Sequence, residues 1–138
     1  MRILVVDDDL LNQQLMQILL EQEGHHVEAA SNGLEAFESI KRQQFDIVFM
    51  DLNMPVMDGR QASRRIREWE NGSRRTFIVA LTASYLPDER QGLREAGVDN
   101  YIAKPFEVRH IQQLLRDRID IRSFPSTQRI PPDEGLDR

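Results

Sequence analysis

Two short apolar runs in this chain end on acid. Ile3-Leu4-Val5-Val6 runs into Asp7-Asp8-Asp9, and Ile47-Val48-Phe49-Met50 runs into Asp51. Phe77-Ile78-Val79-Ala80-Leu81 ends on Thr82, and Asn100-Tyr101-Ile102-Ala103 ends on Lys104-Pro105. Carboxylates gathered in one place repel each other, so either one of them keeps its proton well above the usual range or a cation sits among them. Oxygen donors with no His or Cys nearby favour a hard ion. Magnesium takes about six oxygens, usually one or two carboxylates with waters and a phosphate oxygen. Asp8 and Asp51 would supply the carboxylates, with Asp7 acting through water. Lys104 would pair with Asp51 and hold a phosphoryl oxygen as a compact ammonium, and the Thr82 hydroxyl would bond the same oxygen. Each signal has a plainer reading. Aspartates cap helices, lysines after strands are usually solvated, and threonine is common in strands. Capping accounts for one aspartate, Asp9, and not for three in a row.

These residues lie dozens of positions apart, so a fold must bring them together. Short continuous apolar runs read as strands buried on both faces, as in a parallel sheet. Val27-Glu28-Ala29-Ala30 is a weaker strand candidate, as is Asn100 to Ala103. Helices lie between. Leu11, Leu15, Ile18 and Leu19 share one face of a helix running to about Glu23, where Gly24 is a good stop. Asn32-Gly33-Leu34-Glu35 reads as a capping box opening a second helix through Phe37 and Ile40. Asp58 precedes a basic third helix with Ile66 and Trp69, ended near Asn71-Gly72. Pro87-Asp88-Glu89 suits the first turn of a fourth, which offers only Leu86, Leu93 and Ala96 as apolar contacts. Val108, Ile111, Leu114, Leu115 and Ile119 make the inner stripe of a fifth. Five strand–helix units imply an α/β fold, a doubly wound five-stranded parallel sheet with helices on both faces. In such sheets ligands bind outside the carboxyl ends of the strands, where the strand order reverses. Asp7, Asp8, Asp51, Thr82 and Lys104 all fall at such ends. From Ser123 to Arg138 the pattern fails and prolines gather, so residues 1–122 read as the domain and 123–138 as a tail or linker with no second domain.

The bulk properties fit one globular domain. The chain has 138 residues, with 18 basic against 23 acidic side chains and a net charge of −5, a balance that disfavours non-specific nucleic-acid binding. Six arginines, Arg60, Arg64, Arg65, Arg67, Arg74 and Arg75, cluster on and after the third helix. They read better as a solvated face balanced by Glu68 and Glu70 than as a nucleic-acid patch. There is no cysteine, which excludes disulfides, thiolate zinc sites and cysteine nucleophiles. His25, His26 and His110 lack metal-ligand spacing and read as structural or surface residues. No apolar run reaches the roughly 18 residues a membrane span needs, and the N-terminus meets acid too soon for a signal peptide. The expectation is a cytoplasmic protein with no membrane insertion.

In order along the chain stand Val5-Val6-Asp7-Asp8, Asp46 to Asp51, Met54-Pro55-Val56-Met57-Asp58-Gly59, Leu81-Thr82-Ala83 and Tyr101-Ile102-Ala103-Lys104-Pro105. Together they resemble the receiver domain of bacterial two-component response regulators, from about Arg2 to Ile121. Asn12 and the stretches Gly24 to Ala36 and Leu81 to Ser84 look most like receivers attached to hybrid sensor histidine kinases. The resemblance implies a flavodoxin-like strand order of 2-1-3-4-5. It implies Asp51 as the phosphoacceptor, with Lys104 and Thr82 contacting the phosphoryl group. Asp7, Asp8 and Asp51, with the backbone carbonyl of Asn53, would hold Mg²⁺. Tyr101 would change rotamer together with Thr82, and the Lys104–Pro105 bond would be cis. The implied function is Mg²⁺-dependent transfer of a phosphoryl group from a phosphohistidine to Asp51. The transfer would switch a surface made of helix four, strand five and helix five.

On that resemblance the protein is not a conventional enzyme. It is a phosphoacceptor that catalyses its own phosphorylation and dephosphorylation, with Asn53 and Ser84 steering water in the latter. The partner would be a histidine kinase or a histidine phosphotransfer protein, and the protein a monomer or weak dimer with no direct nucleic-acid contact. No effector domain follows, so output would pass through surface contacts or another chain segment. It would be a single-domain regulator or a receiver from a hybrid kinase. Two other readings compete. A Mg²⁺-dependent aspartyl phosphatase would use Asp51 as nucleophile, but haloacid-dehalogenase-like phosphatases carry an acid two residues later, where this chain has Asn53. A pseudo-receiver that binds without taking phosphate is disfavoured by the complete set of acidic, Thr and Lys positions.

Overall fold

The apolar runs pair as five parallel strands. The computed structural model describes residues 1–83, 87–104 and 107–121, with the backbone alone at 87–90, 108 and 117–121. Strands β1 (Arg2–Val6), β2 (His26–Ala30), β3 (Ile47–Asp51), β4 (Phe77–Thr82) and β5 (Asn100–Ala103) alternate with helices α1 (Leu10–Gln22), α2 (Gly33–Arg42), α3 (Gly59–Glu70), α4 (Pro87–Glu95) and α5 (Val108–Ile121). The sheet order is β2-β1-β3-β4-β5 and every pairing is parallel. The order reverses at β1, so the crevice for a ligand lies where β1 and β3 end.

Alternation along each strand splits the core into two layers. Leu4, Val6, Val48, Met50, Ile78 and Ala80 face one side, against Phe37 and Ile40 of α2, Ile66 of α3 and Leu93 of α4. Ile3, Val5, Ile47, Phe49, Val79 and Leu81 face the other, against Met16 and Leu20 of α1 and Ile111, Leu114 and Leu115 of α5. Both sides of the sheet are covered, which is why the strands read as unbroken apolar runs.

Helix α1 departs from the expected orientation. Its buried face is Gln13, Met16 and Leu20, while Leu10, Leu11, Leu15 and Ile18 are each more than half exposed. The helix carries two apolar stripes, and periodicity alone does not say which one meets the sheet. The other ends follow the sequence more closely. Asp58 and Gln61 cap α3 reciprocally, and Asn71 closes it in the left-handed region at φ 47°. At α2 the Asn32 side chain accepts from the Glu35 N–H at 2.9 Å, but Glu35 reaches back to the Ser31 N–H, one residue earlier than a simple capping box. Ile111, Leu114 and Leu115 face inward on α5 as expected. Leu86, Ser84, the side chains of Val108 and Ile119, the Lys104–Pro105 bond and the expected tail at 123–138 lie outside the described residues. Among the described residues no helix is long and apolar enough to cross a membrane.

Candidate functional site

Asp7 leaves the sheet directly after β1. Its N–H donates to the Ala30 carbonyl at 3.1 Å, continuing the ladder with β2 by one rung. Its Oδ1 accepts the Asp9 N–H at 2.9 Å, which folds the chain into a tight turn and leaves Asp8 exposed beside it. Asp9 then caps α1, accepting from the N–H groups of Leu11 and Asn12. The helix-cap reading of Asp9 holds, and the other two aspartates remain for the site.

Asp51 is the last residue of β3, paired with Leu81, and only 5 % exposed. Its carboxylate meets two donors at one oxygen: the Asn53 N–H at 3.2 Å and the Lys104 ammonium at 3.2 Å. Carboxylate oxygens of Asp7, Asp8 and Asp51 all lie within 4.8 Å of one another. Burial pushes the Asp7 carboxyl above its ordinary range, and the neighbouring charges of Asp51 and Asp8 push it further; the Asp9 N–H and Lys104 oppose this. Two buried carboxylates and one exposed carboxylate, with no nitrogen or sulfur ligand among the described residues, fit a hard divalent cation that keeps several waters.

Thr82 ends β4 one residue past Leu81 and is buried. The Lys104 N–H donates to the Thr82 carbonyl at 2.7 Å, so the ends of β4 and β5 are tied at the point where both expected phosphoryl contacts arise. Tyr101 faces the α2–α3–α4 layer, 8 % exposed, and its buried hydroxyl finds no hydrogen-bond partner among the described residues. Asn53 is exposed, and the contact it makes to Asp51 runs through its N–H.

The loop after Asp51 is held from several sides. The Leu52 N–H donates to Leu81 O and the Gly59 N–H to Leu52 O, while Val56 adopts a left-handed φ of 69°. Gly59 allows the loop to close, since a Cβ there would meet the Asp51 carbonyl at 2.5 Å. The Gly33 N–H donates to Met57 O at 2.9 Å, linking this loop to the start of α2.

The arginine cluster is less solvated than expected. Arg67 donates to Gly97 O, Glu70, Thr76 O and Asp99, all within 2.9 Å. Glu70 is 2 % exposed and Asp99 1 %. Asp99 also takes Arg75 and the Ile78 N–H. Arg74 stacks on Trp69 and donates to Ile40 O, and Arg65 lies over Phe37. Arg67 and Arg75 hold the opposite end of the sheet from the carboxylates, at Thr76 and Asp99. His25, His26 and His110 bond near the N-terminal amine, Glu28 and the Glu107 N–H, away from the acidic site. Sequence reading missed Gln13 and the Arg67–Glu70–Asp99 network. The one signal for Gln13 was its spacing from Met16 and Leu20 on a common helix face.

Residues 3–116 match the model of the response regulator receiver domain. The sensor histidine kinase GacS of Pseudomonas protegens is 43 % identical over 116 residues, which cover 83 % of this chain and 13 % of the kinase. The chain therefore spans about an eighth of that relative's length. Among solved structures, the receiver domain of the sensor histidine kinase PA1611 from Pseudomonas aeruginosa, with magnesium coordinated in its active-site cleft, superposes with a TM-score of 0.77 at 39 % identity. That match covers 86 % of this chain and 97 % of the other. The receiver of Saccharomyces cerevisiae Ssk1, solved with the histidine phosphotransfer protein Ypd1, superposes at 0.80 with 26 % identity, covering 90 % and 92 %.

Proposed function

The chain belongs to the response regulator receiver domain family, and from that membership we propose that Asp51 accepts a phosphoryl group from a phosphohistidine. A receiver of a two-component phosphorelay needs a carboxylate nucleophile, a means to neutralise phosphoryl charge and a way in for the donor. The observation that carries the assignment is the meeting of Asp7, Asp8 and Asp51 within 4.8 Å, with Lys104 at 3.2 Å from Asp51.

In the proposed step an Asp51 carboxylate oxygen attacks phosphorus as the P–N bond breaks, and the electron pair returns to the imidazole nitrogen. Lys104 moves from Asp51 to a phosphoryl oxygen, and the Thr82 hydroxyl bonds another. Asp7, Asp8 and Asp51, with the Asn53 carbonyl, are the groups that would hold magnesium. Bound there, the ion would offset the charge of both carboxylates and phosphate. The phosphoryl group adds about −1.5 to −2 charge at a fixed point. Thr82 turning toward it leaves room for Tyr101, whose hydroxyl has no bond to lose among the described residues. The surface of α4, β5 and α5 then reports the state.

The partner reading, a histidine kinase or phosphotransfer protein, gains support from α1. Leu10, Leu11, Leu15 and Ile18 form an exposed apolar stripe that begins two residues after Asp8. A helical partner packed on that stripe brings its phosphohistidine to the mouth of the acidic site. Similarity to the receiver solved with Ypd1 supports the same class of partner.

The test is intact mass after incubation with acetyl phosphate and Mg²⁺, for wild type and Asp51→Asn. A labile phosphate-sized gain confined to wild type and abolished by EDTA supports the assignment. No mass gain from acetyl phosphate or from a phosphohistidine protein, together with no response to beryllofluoride, would turn the reading to a binding module that never takes phosphate.

A further inference from the structure

Gln13 is a polar residue on the inner face of α1, one turn before Met16, and it is 6 % exposed. Its side-chain amide donates to Asp7 O at 2.6 Å, to Ala30 O at 3.0 Å and toward Ser31 Oγ at 3.1 Å. Two of these acceptors are the last carbonyls of the β1–β2 ladder. Ala30 O also accepts the Asp7 N–H, so the Asp7 peptide unit is fixed on its amide side by β2 and on its carbonyl side by Gln13. The carbonyl that Gln13 holds belongs to the peptide joining Asp7 to Asp8. Its orientation sets where both carboxylates point.

The contact continues beyond Asp7. The Ser31 N–H is held by Glu35 at 2.8 Å, and two residues on, Gly33 is bonded to Met57 in the loop that follows Asp51. Gln13 therefore joins the loop carrying Asp7 and Asp8 to the one that braces the loop after Asp51.

We propose that Gln13 is a positioning residue for the acidic site. Its amide fixes the Asp7–Asp8 peptide and so the mutual placement of the two carboxylates for a divalent cation. This rests on the reading of Asp7, Asp8 and Asp51 as cation ligands. Partners that orient a metal's ligands commonly change affinity about ten- to a hundredfold when removed. Gln13 acts through a backbone carbonyl, so the lower end applies.

The experiment is calorimetric titration with Mg²⁺ alone on the unphosphorylated protein, comparing wild type, Gln13→Met and Leu20→Ala. Methionine keeps the shape and loses both donors. Leu20→Ala injures the same helix face away from the site. The expected result is a roughly tenfold rise in the Mg²⁺ Kd for Gln13→Met, against less than twofold for Leu20→Ala despite its lower unfolding midpoint. A Gln13→Met Kd within twofold of wild type, or an equal rise in Leu20→Ala, overturns the proposal. Wild type that binds no Mg²⁺ overturns the cation reading itself and this inference with it. Should Gln13→Met not fold, side-chain amide hydrogen exchange in wild type decides. Slow exchange of the Gln13 NH₂ group, slower still with Mg²⁺, supports the role; exchange at the rate of a solvated glutamine refutes it.

Discussion

Lys104 reaches Asp51 at 3.2 Å, yet the Asp7 carboxyl is still pushed above its ordinary value of 3.8, first by burial and then by the charges of Asp51 and Asp8. A carboxyl whose pKa is higher in the folded chain than in the unfolded one favours the fold fully below the unfolded value. That contribution is lost as pH rises through the folded value. The metal-free protein therefore carries a penalty at neutral pH, and Asp7→Asn removes it. In EDTA, Asp7→Asn is expected to melt at a higher temperature than wild type at pH 7 and at the same temperature near pH 3. With Mg²⁺ the order closes or reverses, because only wild type gains from the ion. Thermal scans at the two pH values with and without Mg²⁺ check this. These acids were legible in the sequence because a carboxylate that directly follows a buried apolar strand must be desolvated at some cost, which a site with a cation offsets. Gln13 was not, because a glutamine in an amphipathic helix looks like surface unless the inner face is already known.

Helix α1 shows why that face is ambiguous in the sequence. Leu11, Leu15 and Ile18 form as good an apolar stripe as Met16 and Leu20, and the choice between them is made by the sheet. The exposed stripe gives a prediction. Leu11→Glu sits in the first turn of α1, where an acid suits the helix dipole, so stability should change by less than about 0.5 kcal/mol. Transfer from a phosphohistidine protein should fall at least tenfold, while labelling by acetyl phosphate stays as in wild type. Leu20→Ala should do the opposite, costing about 2–4 kcal/mol in urea unfolding by leaving a cavity. Helix α3 behaves likewise. Its arginines read as a solvated face because charge alone does not reveal which acids lie beneath. Arg67→Ala leaves Glu70 with Thr76 and Asp99 with Arg75 and Ile78, and loses four bonds at the end of the helix. Partly unpaired buried carboxylates put the expected cost at about 2–3 kcal/mol, to be read from urea unfolding.

At the scale of the whole molecule, the two-sided core wrote the fold into the sequence. Strands covered on both faces must be apolar throughout, and parallel strands joined by helices must end on the same edge, so the acidic ends mark the site in the sequence itself. Helix faces, buried ion networks and ties between loops were hidden because they depend on contacts distant in sequence. Gly33 is one such tie. Alanine in a helix is normally the more stable choice by about 0.5–1 kcal/mol, but here a Cβ would stand 2.4 Å from the Met57 carbonyl. Gly33→Ala is expected to lower stability by about 1–3 kcal/mol, seen as a lower melting temperature. The Arg67 network has one more consequence. It grips Gly97 and Asp99, just beyond the C-terminal end of α4, and Thr76, at the foot of β4. Thr82 stands six residues along β4 from that grip, about 20 Å at the usual rise per residue. β4 is bonded to β3 and β5 along its length, so this grip anchors the far end of a strand that the sheet already holds. Movement at Thr82 is therefore expected to stay at the site end of the sheet, with the Arg67 end serving as the fixed frame against which the switch is read.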